Sequence, residues 1–263
     1  AYWMSDNGFF RYTGKLESMD CLVEDYVYEN INTLSSQLIY CGINNLFGEI
    51  TWFYPTADSN VNTRAVTYSY LDSTAKRPIW FTNASSLFSR TTWQDSAVFG
   101  LPHATQYDAG DDASFDVVGN TDGVTYYYEH ETGVNQIRGG ATIAIPASIT
   151  SGDYDITQKV VRGAATSLGD LRGDGENIMR VSRIIPDFIS QQGNSIIQLD
   201  LRNYPNDTAA SSSLGPFTVS SSTDKVDTRA RGRAIALTIS NTAVDSSWKL
   251  GTFRLDIHAG GRR

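Results

Sequence analysis

The sequence has few cysteines that could form disulfides and no long apolar run that could span a membrane. Its 263 residues include two cysteines, Cys21 and Cys41, and three histidines. A secreted domain stabilised by disulfides would carry more cysteine, so we expect both to be reduced core residues. No apolar run approaches the roughly 20 residues that a membrane-spanning helix needs. The sequence therefore predicts no membrane anchor.

Basic residues are also scarce. Lysine and arginine number 21 against 29 aspartates and glutamates, which gives a formal net charge of −8. Because phosphate binding needs lysine and arginine, the excess of acidic residues argues against electrostatic binding of nucleic acid over the whole surface. A solvated acidic surface is the simplest interpretation. An acidic wall past which DNA slides is the alternative, since such a wall must avoid strong phosphate contacts.

The charge is unevenly distributed along the chain. Residues 1–159 hold 8 basic and 19 acidic side chains, and residues 160–263 hold 13 and 10. The two parts therefore carry about −11 and +3. A head-to-tail ring of copies could use such an asymmetry.

Helical periodicity is nearly absent, and Leu34–Leu38 and the segment near Thr166–Leu171 are too short for independent helices. Residues that favour strands alternate with polar ones and are interrupted by turn clusters, which predicts an all-β fold of antiparallel strands. The predicted strands are Phe9–Tyr12, Leu22–Glu29, Gln37–Ile43, Glu49–Tyr54, Thr63–Leu71, Pro78–Phe81, Ser89–Gln94, His103–Asp108, Val124–His130, Ala141–Ile145, Ile178–Ile184, Ser195–Leu201, Phe217–Ser220, Arg233–Ser240 and Thr252–His258.

The spacing of these strands indicates two segments. Residues 1–150 contain two groups of about four strands, which is typical of β-propeller blades, with a hairpin-type connection at Gly119–Gly123. Residues 151–263 form a C-terminal antiparallel β region. This region either supplies closing blades, so that the chain's two ends share a sheet, or forms a separate β-sandwich.

Motifs for catalysis and metal binding are weak. In Glu129-His130-Glu131 an extended backbone would point both glutamates to one face and the imidazole to the other, which disfavours a metal site. The acidic, glycine-rich stretch Gly169–Glu176 lacks the ligand spacing of an EF-hand and is better interpreted as a surface turn. Since no nucleophile elbow, phosphate loop or dinucleotide fingerprint is present, we assign no catalytic, cofactor or metal residues and predict that the chain is not an enzyme.

Arginines form the strongest local charge feature. Arg229, Arg231 and Arg233 are spaced so that a strand would project all three to one face, with Arg254, Arg262 and Arg263 nearby in sequence. Three interpretations stay open: pairing within the protein, a subunit interface, and DNA contact.

Several stretches resemble a family of bacteriophage structural proteins. These are Trp52–Thr56, Arg90–Trp93, Tyr128–Gly133, Ile184–Phe188, Arg229–Arg233 and, most characteristically, the ending Trp248–Arg263. They are similar to tail-nozzle or packaged-DNA-stabilisation proteins of short-tailed phages.

That resemblance implies a β-propeller-bearing subunit repeated as a ring, expected to be a hexamer, below the portal and adaptor of a virion tail. Expected partners are further copies, the adaptor and portal-proximal proteins, tail fibres or spikes, and double-stranded DNA in the lumen. Assembly is expected in the bacterial host cytoplasm, and no catalytic residue carries over. The missing initiator methionine leads us to expect the C-terminal portion of a longer protein.

Two other functions remain in competition. A propeller-type polysaccharide depolymerase would need two carboxylates about 5 to 9 Å apart, but with 29 acidic residues such a pair arises by chance. A glycan- or receptor-binding module at the virion periphery could use the aromatic residues. Trp52, Tyr54, Trp80 and Trp93 lie in strand patterns, where aromatic side chains more often pack as core.

Overall fold

The computed structural model describes residues 1–74, 76–83, 89–95, 100–108, 124–156, 177–204 and 209–261. Within this part of the chain, strand makes up 59% and helix 5%. The strands form several small antiparallel sheets. The predicted all-β class is therefore confirmed.

The chain divides into two compact units, Ala1–Thr132 and Gly133–Arg263. The segments predicted from sequence were 1–150 and 151–263. The strand at Ala147–Thr150 pairs with the strand at Ala234–Asn241, which places it in the second unit.

The described residues of the first unit form three sheets, with strand orders β1-β2-β3, β4-β5-β6-β7 and β10-β9-β8. Its strands are β1 (Tyr2–Ser5), β2 (Gly8–Tyr12), β3 (Leu16–Met19), β4 (Tyr40–Asn44), β5 (Glu49–Tyr54), β6 (Arg64–Thr74), β7 (Arg77–Asn83), β8 (Thr92–Gln94), β9 (His103–Asp108) and β10 (Val124–Glu129). The four-stranded meander matches the expectation for one blade, and the propeller arrangement of the sheets stays a prediction.

Aromatic side chains fill the core of the first unit. The Phe9 ring lies 5.1 Å from the Trp52 ring and 4.7 Å from the Trp80 ring, measured between centroids. Trp52 and Tyr54 are buried, as their strand pattern predicted. Because large rings remove much apolar area from water, they stabilise these short sheets against one another.

The prediction of a strand at Leu22–Glu29 is wrong, because a helix, α1 (Glu24–Tyr28), occupies this segment. Val27 is buried, and the Tyr28 hydroxyl donates to the carbonyl oxygens of Ser5 and Gly8. These contacts to β1 and β2 hold one helical turn that its own sequence is too short to stabilise. The second short helix, a 3-10 helix at Thr33–Leu38, overlaps the predicted helical candidate.

In the second unit, the part of the chain that the structure describes forms two larger sheets, with strand orders β13-β19-β16-β17 and β18-β14-β21, and the pairs β11-β12 and β15-β20. Its strands are β11 (Asn135–Arg138), β12 (Ala141–Ala144), β13 (Ala147–Thr150), β14 (Met179–Ile185), β15 (Phe188–Gln192), β16 (Ser195–Arg202), β17 (Ser212–Val219), β18 (Val226–Gly232), β19 (Ala234–Asn241), β20 (Ser247–Leu250) and β21 (Arg254–Ala259).

Both larger sheets contribute to one apolar core. Val181 and Ile184 on β14 pack in the same cluster as Ile197 and Leu199 on β16, and all four are fully buried. This is the β-sandwich alternative for the C-terminal region. The first strand of the chain pairs with β2 and the last with β14, so the expectation that the two ends share a sheet is wrong for the described residues.

Two isoleucines of the second unit provide a matched test of this core. Ile197 is fully buried, whereas Ile189 on β15 is 66% exposed. We expect Ile197→Ala to lower the free energy of unfolding by about 2 to 5 kcal/mol, because it removes buried methylenes and leaves a cavity. Ile189→Ala should change it by less than about 0.5 kcal/mol. Urea unfolding of both variants checks the prediction, and equal effects would contradict the shared core.

Candidate interaction surface

The outward side of the sheet β18-β14-β21 carries a concentration of arginines, and we call this surface the arginine face. On β18, Thr228 and Ala230 are buried while Arg229 and Arg231 are exposed. The pleat of the strand causes this alternation, because successive side chains point to opposite faces. Two of the three arginines singled out from sequence therefore lie together.

Arg233 does not continue the row. It follows the end of β18, is half-buried, and its backbone N–H donates to the carbonyl oxygen of Arg202 at 2.9 Å. The extended spacing assumed from sequence ends at Gly232, where the chain turns into β19. The prediction that all three arginines share one strand face therefore fails at Arg233.

Two further residues complete the face, and sequence reasoning missed both. Arg180 on β14 is exposed, and it lies directly opposite Arg231 on one side and His258 on the other. The signal for Arg180 was its position between Met179 and Val181, which are both buried. The pairing with Arg231 depends on a long-range strand register that sequence alone does not give.

The two carboxylates of the arginine face both contact a single arginine. Arg183 Nε donates to Asp227 Oδ1 at 2.9 Å, and Arg183 Nη1 lies 3.5 Å from Asp256 Oδ2. The hydrogen bond from Arg183 lowers the pKa of the Asp227 carboxyl. Among the described residues no carboxylate forms an ion pair with Arg180, Arg229 or Arg231.

This arrangement is unfavourable for the isolated chain. Like charges directly opposite one another in a sheet repel, and here Arg231 faces Arg180. Guanidinium groups bind carboxylates and phosphates through paired N–H donors, so an anionic partner would relieve the repulsion. The arginine face is therefore chemically suited to bind an anionic surface.

A second polar cluster lies inside the first unit around Arg90, which is 3% exposed. Arg90 Nε donates to His130 Nε2 at 3.1 Å, and Nη1 donates to Gln106 Oε1 at 3.2 Å. The guanidinium carbon lies 4.4 Å from the centre of the Tyr128 ring. This geometry makes His130 a hydrogen-bond acceptor and fixes its neutral form.

Burial, with a contribution from the Arg90 charge, lowers the pKa of the His130 imidazole to about 3. A general acid or base works best with a pKa near the pH of the reaction. His130 is far from that condition, and its contacts to Arg90 and to the Trp93 ring are those of a packing residue.

The segment Glu129-His130-Glu131 is not extended throughout. β10 ends at Glu129, and Glu131 has a φ of +63°, so the alternation assumed from sequence stops there. Glu131 Oε1 accepts a hydrogen bond from Asn44 Nδ2 at 2.9 Å. Within the part of the chain that the structure describes, no group of three or more histidines, cysteines or acids could hold a metal ion.

Other positions singled out from sequence have simpler outcomes. Both cysteines are free, but Cys41 is exposed, so the expectation of a core position is wrong for that residue. The candidate loop Gly169–Glu176, the connection Gly119–Gly123, and Arg262 and Arg263 lie outside the described residues. In the described ranges, no helix has the length and apolar character required to cross a membrane.

A small cavity of about 260 Å³ lies in the second unit beside Asn241 and Trp248. The polar atoms of the Asn241 side chain are already hydrogen-bonded within the protein. Its Nδ2 donates to Ser246 Oγ at 2.9 Å, and its Oδ1 accepts from Trp248 Nε1 at 2.9 Å. These bonds fix the wall of the cavity. The arginine face is therefore the better candidate for function.

No family model and no curated protein matches this sequence. Function is therefore inferred from the residues of the chain.

The buried imidazole predicts a specific pH dependence. Folded His130 stays neutral down to about pH 3, whereas the unfolded imidazole binds a proton below about pH 6.5. Lowering the pH from 7 to 5 therefore favours the unfolded state. We expect His130→Gln to lose less stability than the wild type over this range. Urea unfolding followed by tryptophan fluorescence measures the difference.

The matched control is Ile189→Ala, an exposed substitution that removes no ionisable group. It should keep the wild-type dependence on pH. If His130→Gln also keeps it, the neutral buried state of His130 is contradicted.

Proposed function

We propose that this chain is a structural component of a short-tailed bacteriophage tail, in which copies form a ring-shaped conduit that retains genomic DNA and passes it during ejection. The role is mechanical and not catalytic. The resemblance of the ending Trp248–Arg263 to tail-nozzle proteins motivates the proposal. One structural observation supports it most, namely the separation of charge between the two units.

The first unit, residues 1–132, holds 6 basic and 17 acidic side chains, a formal charge of −11. The second unit, residues 133–263, holds 15 basic and 12 acidic side chains, a charge of +3. A subunit with one negative and one positive part can attract its own copy head to tail. Heterologous contacts of this kind form a ring when the rotation between copies closes.

The fold supports a mechanical role. Most of the described backbone is held in antiparallel ladders, whose many hydrogen bonds resist deformation. An acidic wall also repels phosphate, so it would guide DNA without holding it. Both properties suit a conduit that must keep its shape while a charged polymer moves through it.

Electron microscopy and mass determination of the purified protein test this function. We expect rings with an axial channel about as wide as duplex DNA. A monodisperse monomer at every concentration would contradict the proposal. The number of copies per ring, expected to be six, comes from the same images.

Two further experiments separate the competing functions from the proposed conduit. A depolymerase would release oligosaccharides from host polysaccharide, and the proposed conduit releases none. A receptor-binding module would leave tails assembled when its gene is deleted and would abolish only adsorption to the host. We expect deletion to abolish tail assembly itself.

A further inference from the structure

The arginine face leaves positive charge unbalanced at defined positions. Arg180, Arg229 and Arg231 are exposed, and no described carboxylate forms an ion pair with them. The two acids on the same surface are already bound by Arg183. A partner for this surface must supply carboxylates or phosphates.

The first unit carries a surface of opposite character, which we call the acidic tip. It lies where the β4–β5 turn meets the end of β6. Its members are Leu46, Phe47, Glu49, Leu71, Asp72 and Glu131. Gly48 closes the turn at a φ of +67°, and a Cβ there would collide with the Leu71 side chain. The turn and β6 are therefore in direct contact.

Strand pairing brings the three carboxylates of the acidic tip together, because Glu49 lies opposite Asn44 on β4 and opposite Ser69 on β6. The side chains of these two neighbours donate hydrogen bonds to Glu131 and Asp72, respectively. Burial, and then the charges of Glu131 and Asp72, raise the pKa of the Glu49 carboxyl. Glu131 is held by Asn44, and Asp72 Oδ2 accepts from Ser69 Oγ at 3.2 Å. Among the described residues no lysine or arginine forms an ion pair with these three acids. Their mutual repulsion makes a cationic partner favourable.

Exposed apolar side chains accompany these carboxylates. Leu46 is 51% exposed, Phe47 is 52% exposed and Leu71 is 66% exposed. Apolar side chains beside charged groups are typical of a protein contact surface, where the apolar centre is buried and the rim stays polar. A nucleic acid would repel the carboxylates of this tip, so the tip fits a protein surface.

We propose that the arginine face of one copy binds the acidic tip of a second copy. Three arginines then meet three carboxylates, and each copy uses its face for one neighbour and its tip for the other. The contact is heterologous and can therefore propagate around a ring. The inference rests on the proposed conduit, because it specifies which surfaces join the copies.

DNA is a less suitable partner for the arginine face. The chain has a net charge of −8, and the first unit alone carries −11, so the net charge of the molecule repels a polyanion. Free arginines in the lumen would also bind phosphates and slow the passage of DNA. A carboxylate-bearing copy satisfies the same guanidinium groups without either effect.

Charge reversal tests the contact. The face variant is Arg180→Glu with Arg231→Glu, and the tip variant is Asp72→Lys with Glu131→Lys. All four residues are exposed, so both variants should fold. The matched control for the face variant is Lys15→Glu with Lys249→Glu, which reverses two exposed lysines outside the arginine face and changes the net charge by the same amount.

Sedimentation velocity over a concentration series at about 0.1 M salt gives the association constants. We expect the face and tip variants each to weaken association at least about tenfold, and the control to stay within about twofold of wild type. An equimolar mixture of the face and tip variants should also associate, because alternating copies pair each glutamate-bearing face with a lysine-bearing tip and each arginine face with an acidic tip. The quadruple variant, which combines both reversals in one chain, should recover association to within a few-fold.

Each contrary result has a definite meaning. If wild-type rings form and the face variant assembles equally well, or the quadruple variant fails to recover, the contact is refuted while the conduit stands. If the wild type never associates, both proposals are refuted. If a duplex of about 30 base pairs binds the wild type and not the face variant, with association unchanged, the arginine face serves DNA and the inference is overturned.

Discussion

The alternation of side chains along β14 and β18 determines both the core and the surface of the second unit. Val181 and Ala230 point into the sandwich, and Arg180 and Arg231 therefore point out of it. A register slip of one residue would bury the arginines and expose the core, at a large cost in free energy. The pairing that stabilises the sandwich thus also holds the guanidinium groups together, and the arginine face inherits the rigidity of the fold.

The sequence was sufficient where a segment's own pattern determines its structure. Ser195–Leu201 was predicted as a strand and β16 spans Ser195–Arg202, because Ile197, Leu199 and Leu201 are buried and alternate with less buried polar residues. It was insufficient at Glu24–Tyr28, where contacts with β1 and β2 favour a helix over the strand that local residues indicated. The sandwich core was likewise not decided by sequence, since it depends on which sheets pack together.

The sequence likewise identified some residues of the arginine face and missed others. Arg229 and Arg231 were recognised because they lie two residues apart on one strand. Arg180 and His258 were missed because the row Arg231, Arg180, His258 across the sheet requires the register of three strands that are distant in sequence. His130 is a different case. Its acidic neighbours in sequence were weighed as metal ligands and disfavoured, and its role is set by its neighbour in space, because Arg90 fixes it as a neutral hydrogen-bond acceptor.

Charge connects the surface to the proposed conduit. An acidic first unit and a basic face on the second are compatible with copies that attract one another and a lumen wall that does not bind the phosphates of DNA. The most direct test is a cryo-electron microscopy map of the assembled protein at side-chain resolution. We expect the guanidinium groups of Arg180 and Arg231 to lie within salt-bridge distance of Asp72 or Glu131 of a neighbouring copy. A map in which the arginine face lines the channel or faces solvent would contradict the account.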